Sequence, residues 1–304
     1  MVTMMIAMCI MSLANWMHCF EEVFMMEEKV MHDVMTSLEH GGVHNDSDYV
    51  GDGGVLYCGK CHTPKEIRVD LFGRERVLPM LCQCEARRRD EEEAAWKERE
   101  FARRVERLRR ACFAERGQSE HTFAADDRDD VRLSNAMRAY VDKWDEVCAK
   151  NMGLLLYGPP GTGKSFYAAC IANALIDKGV SAAITSFARI VGDLQGLRDD
   201  NGDYIDHLAH VGLLVIDDLG AERDSKYMQE QVYAVINARY EARKPLILTT
   251  NLPIEQIKSP GDLNYRRIYD RVLEMCHPVK FEGRSKRVAH VIDNFEERNK
   301  LLGL

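Results

Sequence analysis

The chain has 304 residues, of which 46% are hydrophobic and 30% charged, and its formal net charge is −8 with a pI of about 5.7. This composition is typical of a globular protein with a sizeable core, and it argues against a protein that coats DNA through bulk positive charge. Ten cysteines in 34.7 kDa do not form the dense framework of a small secreted domain, so we expect a cytoplasmic protein with cysteines available for metal.

Residues 1–50 form a leader whose first twenty residues are apolar and rich in methionine. They lack the positive region and cleavage site of a signal peptide, and their polar residues disfavour a membrane span. We expect a leader that is partly disordered or helical, or a start codon assigned too far upstream, and no membrane partner. A membrane or partner helix is the alternative.

Residues 51–84 contain two closely spaced cysteine pairs, C-x-x-C and C-x-C. Between them, "IRVDL" and "RVLPM" flank a turn containing Gly73, which predicts a hairpin that brings the pairs together. Four thiolates suit tetrahedral Zn²⁺, and a unit this small has little core of its own. Because C-x-C is the less usual half-site, His62 is a possible substitute ligand, and reduced cysteines without metal are the alternative. The expected zinc ligands are Cys58, Cys61, Cys82 and Cys84.

Residues 85–120 are rich in strong helix formers of both signs, with acid–base pairs at i,i+4 such as Glu93–Lys97 and Glu106–Arg110. This pattern predicts a charged spacer helix. A nucleic-acid role for its arginines is the alternative, which the interspersed acids disfavour.

Residues 121–304 alternate apolar strands with helical segments. The strands are "GLLLYG", "SAAITSF", "VGLLVIDDLG" and "PLILTTN". Continuous apolar strands separated by helices predict an α/β fold, with a parallel sheet covered by helices on both faces.

"GPPGTGKS" follows the first of these strands, opens a helix, and satisfies the phosphate-binding motif G-x-x-x-x-G-K-[ST]. The glycines let backbone N–H groups turn toward phosphates, and the helix N-terminus contributes its positive dipole. Lys164 is expected to neutralise β/γ-phosphate charge, and Ser165 to offer a hydroxyl to Mg²⁺. The nucleotide-binding residues are expected to be Gly158, Pro159, Pro160, Gly161, Thr162, Gly163, Lys164, Ser165, Phe166 and Asp217.

Two acids end the strand in "LLVIDDLG", at the sheet edge where the nucleotide is expected. Asp217 is the candidate partner of the Mg²⁺ shell, and Asp218 is the candidate that polarises the attacking water. Asn251, after "LILTT", could orient that water or touch the γ-phosphate. A turn residue before "LP" explains Asn251 equally well.

The segment "LNYRRIYDRVLEMC" carries three arginines on one predicted helix. Helical spacing puts Tyr265, Ile268, Val272 and Met275 toward the core. Arg267 and Arg271 then share the opposite face with Glu274. Two like charges at i,i+4 are explained poorly by a surface role alone, so groups that reach another molecule's charge are the interpretation we prefer to a solvated helix face or a nucleic-acid patch.

The order and spacing of "GPPGTGKS", Asp217–Asp218, Thr250–Asn251, "RIYDR" and "GRSKR" resemble the DnaC/IstB group of AAA+ ATPases, most of all the DnaC-like replicative helicase loaders of bacteria and mobile elements. The resemblance implies an AAA+ core with a truncated lid that works as a homo-oligomer with ATP at subunit interfaces. By the same resemblance Asn251 corresponds to the sensor-1 asparagine, Arg271 to an arginine finger given to the neighbouring subunit, and Arg287 to the sensor-2 arginine.

The function implied by this resemblance is an ATPase that uses ATP, Mg²⁺ and Zn²⁺ and loads the replicative DNA helicase onto single-stranded DNA. An IstB-like helper of transposition and a nucleotide-dependent adaptor with little hydrolysis are the alternatives. Many AAA+ proteins have Asp-Glu where this chain has Asp217-Asp218, so the shorter base puts the turnover rate in doubt.

Overall fold

The computed structural model describes residues 45–71, 73–113, 116–196, 201–220, 226–283, 285–286 and 295–303. The predicted leader therefore lies almost entirely outside the described residues, as does Arg287. The chain divides into two compact units, Met1–Glu98 and Arg99–Leu304. In the described part of the chain, no helix combines the length and the apolar character that crossing a membrane requires.

The first unit contains two small antiparallel sheets. Strand β1 (Tyr49–Val50) pairs with β2 (Leu56–Tyr57), and β3 (Glu66–Leu71) pairs with β4 (Arg74–Pro79). The predicted hairpin is thus confirmed, and its turn uses Gly73 at φ +73°, a conformation that favours glycine. The first residues of helix α1 (Gln83–Cys112) close this unit.

The first unit is held together around a buried ion pair. Lys65 and Asp48 have side chains only 1% and 2% exposed, and Lys65 Nζ lies 2.7 Å from Asp48 Oδ2. The other carboxylate oxygen of Asp48 accepts a hydrogen bond from the Gly59 amide at 3.1 Å, inside the C-x-x-C loop. The hydrogen bond from Lys65 lowers the pKa of Asp48 to about 2, so the pair is charged at neutral pH.

The second unit is built on a five-stranded parallel sheet in the order β6-β7-β8-β5-β9. Its strands are β5 (Gly153–Tyr157), β6 (Ala182–Ser186), β7 (Leu213–Leu219), β8 (Leu246–Thr250) and β9 (Cys276–Lys280). Four of these strands match the predicted ones, and β9 was missed. It is an edge strand with an exposed face and a proline, so it lacks the continuous apolar run that marks the buried strands.

Helices cover both faces of this sheet, as the sequence predicts. They are α2 (Val131–Asp142), α3 (Trp144–Ala149), α4 (Lys164–Asp177), α5 (Phe187–Gly196), α6 (Asn201–His210), α7 (Lys226–Glu241), α8 (Ile254–Lys258) and α9 (Leu263–Met275), with α10 (Phe295–Leu302) near the C-terminus. Leu154 and Leu156 point into the apolar cluster formed with α2, α3 and α4, whereas Leu155 between them points into the cluster formed with α5, α7 and α9.

The end of α1 joins the core of the second unit. Arg104 donates to the carbonyl oxygen of Gly179 just beyond the end of α4, and Arg109 pairs with Asn173 and Asp177 within α4. Cys112 is 2% exposed. The predicted spacer pattern describes the solvated part of α1, but its last turns are packed, and separate 3₁₀ turns follow at Arg116–Glu120 and Phe123–Ala125.

A buried arginine fastens α6 and α7 to the sheet. Arg239 is fully buried, and its guanidinium donates to carbonyl oxygens at the end of α6, before β7 and before β8. The acceptors are Leu208, Ala209, Val211, Gly212 and Pro245, at 2.5 to 3.3 Å. A cation at the C-terminus of α6 also complements the helix dipole.

Candidate functional sites

The phosphate-binding motif forms the loop between β5 and α4, and its glycines adopt conformations that other residues rarely adopt. Gly158, Gly161 and Gly163 have φ values of +143°, +80° and +97°. A Cβ atom on Gly158 would lie 2.1 Å from the carbonyl oxygen of Phe281, and one on Gly161 would lie 2.1 Å from Ser285 Oγ. The loop therefore requires glycine both for its curvature and for the close approach of the C-terminal segment.

Lys164 is 5% exposed and turns back over the loop. Its Nζ donates to the carbonyl oxygens of Gly158 and Pro159, at 2.9 and 2.7 Å, and to Asn251 Oδ1 at 2.9 Å. The motif thus places an ammonium group at the centre of the loop. It also brings Asn251 from the end of β8 into the same site, so Asn251 is more than a turn residue.

The hydroxyl of Ser165 and the carboxylate of Asp217 are in direct contact. Ser165 Oγ donates to Asp217 Oδ1 at 2.8 Å, and Thr249 Oγ1 donates to the same oxygen. A serine hydroxyl beside a carboxylate at the loop that holds phosphates fits the donor set of Mg²⁺, which prefers oxygen ligands. Thr249 was missed from the sequence, although its place in the polar end of "LILTTN" was an available signal.

Asp218 sits in an irregularity of the sheet. The register between β7 and β8 shifts between Ile216 and Leu219, and Asp218 has φ +59°, with its amide donating to Thr249 Oγ1 at 3.0 Å. This bulge turns the Asp218 side chain outward, exposed at the cleft, while Asp217 remains half-buried. The two adjacent acids are therefore directed to different environments.

A cleft of about 400 Å³ collects these groups. Of the predicted residues, Pro160, Gly161, Gly163, Lys164, Ser165, Phe166, Asp218 and Asn251 line it. Gly158, Pro159, Thr162 and Asp217 support it through the hydrogen bonds of the loop. This volume lies within the range of ligand-binding clefts, so its size and donors fit a nucleotide with its metal.

Sequence reasoning missed the side of the cleft formed by the polar link before α2 and by the C-terminal segment. His121, Ala125, Asp127, Tyr167 and Lys286 also line the cleft. Lys286 Nζ pairs with Asp127 at 2.6 Å, and the Lys286 amide donates to the carbonyl oxygen of Gly161 at 2.9 Å. No local pattern in the sequence could have found this wall, because folding assembles it from distant segments.

Asp126 anchors that wall. Its side chain is 1% exposed and accepts hydrogen bonds from Ser134 Oγ at 2.5 Å, from Tyr167 Oη at 2.8 Å and from the Arg128 amide at 3.1 Å. Burial works to raise the pKa of Asp126, but the hydrogen bonds from Ser134 and Tyr167 outweigh it and hold the pKa below its usual value. The loop beside the cleft is therefore fixed by a charged carboxylate.

Arg271 lies apart from this cleft. It is on α9, is half-buried, and does not appear among the described residues that line the nucleotide cleft of its own chain. Of the four core positions predicted for α9, Ile268, Val272 and Met275 are buried at 1%, 0% and 4% exposure, whereas Tyr265 is only partly buried against the same apolar cluster. The guanidinium of Arg271 does not project freely into solvent, however, because it lies against α7.

The four predicted zinc ligands come together in the first unit. Their Sγ atoms all lie within 4.8 Å of one another, with Cys58 and Cys82 buried and Cys61 and Cys84 half-buried. The Cys58–Cys84 and Cys82–Cys84 sulphur distances are 3.6 and 3.3 Å. A tetrahedral zinc with Zn–S bonds of ~2.3 Å has sulphur atoms about 3.8 Å apart, so the cluster has the size of such a site.

Neighbouring groups orient this cluster. The Thr63 hydroxyl lies 3.0 Å from Cys61 Sγ and accepts a hydrogen bond from the Gln83 amide at 2.9 Å. The hydrogen bond from Thr63 lowers the pKa of Cys61 to about 5, whereas the hydrogen bonds with Cys82, Cys58 and Cys61 raise the pKa of Cys84 to about 12. His62 is exposed, has its Nδ1 3.2 Å from the Tyr49 hydroxyl, and lies outside the four-sulphur group.

A parallel α/β sheet with a glycine loop, a lysine, and a serine–aspartate pair at one edge defines a P-loop nucleotide-binding protein. The family model of the IstB-like ATP binding proteins matches residues 88–293, about two thirds of the chain. The chain belongs to this family, which confirms the resemblance inferred from its motifs and makes it a P-loop ATP-binding protein.

Curated relatives of two kinds match the chain. The replicative helicase loader DnaC of Escherichia coli K12 is 31% identical over 144 residues, covering 46% of this chain and 56% of that protein. The helicase loader DnaI of Bacillus subtilis is 27% identical over 150 residues, covering 45% and 48%. A putative insertion sequence ATP-binding protein of Sinorhizobium fredii is 34% identical over 154 residues, covering 50% of each. The chain thus spans about half the length of the curated relatives it matches.

Among solved structures, a crystal structure of DnaI superposes with a TM-score of 0.50 at 23% identity, covering 59% of this chain and 98% of that one. At this identity the likeness concerns the fold alone.

Proposed function

We propose that this protein is an ATP-dependent loader that places a replicative DNA helicase on single-stranded DNA. The observation that carries the proposal is the similarity of the ATP-binding part of the chain to two replicative helicase loaders. Such a role would place the protein in the cytoplasm and would couple nucleotide state to the binding and release of a protein partner.

The proposed chemistry follows from the positions of the side chains in the cleft. Lys164 and the backbone N–H groups of the loop bind the β- and γ-phosphates of ATP, while Asp218 orients and polarises the attacking water. Ser165 and Asp217 would hold Mg²⁺, which when bound neutralises charge on the phosphates. Asn251, held by Lys164, is placed to contact the γ-phosphate or the water.

We propose further that the ATP site is completed by a second copy of the chain, as a homo-oligomer with ATP at subunit interfaces. Arg271 is not part of the cleft of its own chain, which supports its role as a finger supplied in trans. Arg287 keeps the sensor-2 role implied by the family motif. In the first unit, Cys58, Cys61, Cys82 and Cys84 are proposed to hold a structural zinc.

The partner is tested by co-purification of the full chain with the hexameric replicative helicase of the same genome, with and without ATP. We expect an ATP-dependent complex and stimulated loading of the helicase onto a single-stranded DNA circle. The Lys164→Ala variant should lose the ATP dependence, whereas Lys258→Ala, an exposed lysine on α8, should behave as wild type. Absence of a complex in every nucleotide state would contradict the loader proposal.

A transposition helper is the second candidate, favoured by the family match and by the insertion sequence relative. In that case a transposase encoded by a neighbouring gene, rather than a helicase, should bind the chain and stimulate its ATP turnover.

A third outcome is a nucleotide-dependent adaptor, for which wild-type turnover would equal that of Lys164→Ala. If the chain is a loader that hydrolyses ATP, Lys164→Ala should lower turnover on the order of 100-fold or more.

A further inference from the structure

The guanidinium of Arg271 lies between the aromatic rings of two tyrosines on helix α7. Its Cζ is 4.7 Å from the ring centroid of Tyr233 and 5.5 Å from that of Tyr240. Both distances are within the range of cation–π attraction. The tyrosines are seven residues apart, two helical turns, so both rings project from one face of α7 toward α9.

This position leaves part of the guanidinium without a hydrogen-bond acceptor. Arg271 Nη1 is buried and has no hydrogen-bond partner among the described residues. Aromatic faces attract the positive charge, but they accept no hydrogen bonds from N–H groups in the guanidinium plane. Arg271 is therefore oriented by stacking and partly stripped of water.

The Tyr240 ring is itself anchored to α9. The Tyr240 hydroxyl donates to Glu274 Oε1 at 2.9 Å, and Glu274 lies one turn beyond Arg271 on the same helix. The two tyrosines, Glu274 and Arg271 thus form a single bridge between α7 and α9. A solvated surface arginine would require no such arrangement.

We propose that Tyr233 and Tyr240 are positioning residues. They hold the Arg271 guanidinium in the orientation that binds a phosphate of the ATP in the cleft of a second copy of this chain. This inference rests on the proposed trans role of Arg271. A planar guanidinium binds phosphate oxygens through parallel N–H bonds, so fixing its plane and removing its water both favour capture of the anion. The tyrosines contribute to turnover through Arg271 and contact no nucleotide of their own chain.

The test compares ring removal with hydroxyl removal at Tyr233. Tyr233→Leu removes the aromatic face, and we expect assembly-stimulated kcat to fall about tenfold with KM for ATP unchanged. Tyr233→Phe keeps the face and should stay within about twofold of wild type. Tyr227→Leu, an exposed tyrosine on the same helix, serves as the matched control and should leave turnover unchanged.

Mixed assemblies separate positioning from a structural defect. The Tyr233→Leu chain has an intact nucleotide cleft, and the Lys164→Ala chain has an intact arginine. Mixing them should restore turnover, because the Lys164→Ala chain can supply Arg271 to the intact cleft. Turnover that stays at the level of the separate variants would mean that Tyr233→Leu damages its own site, and it would overturn the proposal.

Arg271→Ala distinguishes failure of this inference from failure of the proposed trans role. If Arg271→Ala leaves stimulated turnover unchanged, the trans role itself is wrong. If Arg271→Ala abolishes turnover but Tyr233→Leu and Tyr240→Leu behave as wild type, only the positioning inference is wrong. In the Arg271→Ala background, Tyr233→Leu should have no further effect, and additive losses would contradict a role through Arg271.

Discussion

The two units of this chain are stabilised by different kinds of interaction. Among the described residues of the first unit, the buried apolar side chains are Leu56, Cys58 and Cys82, while Val50, Ile67 and Val77 are roughly half exposed or more. The second unit buries an apolar cluster on each face of its sheet. A unit with so little core depends on cross-links and buried charges, whereas the second can lose single contacts and remain folded.

The largest expected effect is on the first unit when the proposed zinc is removed. Chelation, or Cys58→Ser, should unfold residues 45–98. This unit has little apolar core, so without the ion nothing cross-links its four cysteines. The second unit should keep its fold and its ATP binding. Hydrogen exchange read by mass spectrometry distinguishes the two units within the full chain.

Cys148→Ser, at an exposed cysteine, is the control for that experiment and should change neither metal content nor exchange. Less than half an equivalent of zinc in the purified wild-type protein would contradict the metal assignment. Unchanged hydrogen exchange in residues 45–98 after chelation would show that the first unit is stable without metal. It would contradict the proposed difference between the interactions that stabilise the two units.

In the second unit the largest single loss should come from Arg239→Met. The substitution conserves much of the volume but leaves five carbonyl oxygens without their donor, and we expect a loss of about 4 kcal/mol of unfolding free energy. Chemical denaturation followed by circular dichroism measures the loss. Arg189→Met, at an exposed arginine on α5, should cost less than about 0.5 kcal/mol. Equal losses of unfolding free energy for the two variants would contradict a stabilising role for the hydrogen bonds of Arg239.

A pair of apolar truncations compares the two units directly. Leu155 is fully buried in the second unit, and Leu155→Ala should cost about 3 kcal/mol. Ile67 is 48% exposed in the first unit, and Ile67→Ala should cost less than about 1 kcal/mol of the stability of that unit. Site-resolved hydrogen exchange gives both values. A larger effect at Ile67 would indicate that the first unit has an apolar core after all.

A smaller effect than those at Arg239 and Leu155 concerns Asp126, whose pKa is lowered in the folded state. Because the folded pKa lies below the unfolded value of about 3.9, the stabilisation is present above that pH and is lost as pH falls below it. Asp126→Asn should cost about 2 kcal/mol at pH 7 and should flatten the acid limb of the stability curve. Asp203→Asn, at an exposed acid on α6, should leave the acid limb unchanged.

Features specified by local pattern were predictable from the sequence. The buried strands appear as continuous apolar runs, and "GPPGTGKS" specifies both its loop and its chemistry. The spacing of the cysteines around a hairpin likewise indicated which sulphur atoms would meet. In each case the residues that act together lie within a short stretch or at the ends of adjacent strands.

Features assembled from distant segments were not predictable. The ion pair of Lys65 with Asp48, the wall formed by Asp127 and Lys286, and the cap of carbonyls around Arg239 each join residues with no shared pattern. The face of α9 that carries Arg271 could be read from helical spacing. Its contact with Tyr233 could not, because it depends on how α7 packs against α9.

The contact between the phosphate-binding loop and the C-terminal segment has a consequence for synthesis. The amides of Phe281 and Lys286 donate to the carbonyl oxygens of Tyr157 and Gly161, so the loop acquires this support from residues that the ribosome makes after the other four strands of the sheet. A growing chain should therefore acquire its affinity for ATP late, when β9 and the segment after it have left the ribosome. Stalled chains ending before Cys276 should fail to retain a fluorescent ATP analogue that stalled chains reaching residue 304 retain, and equal retention would refute the idea.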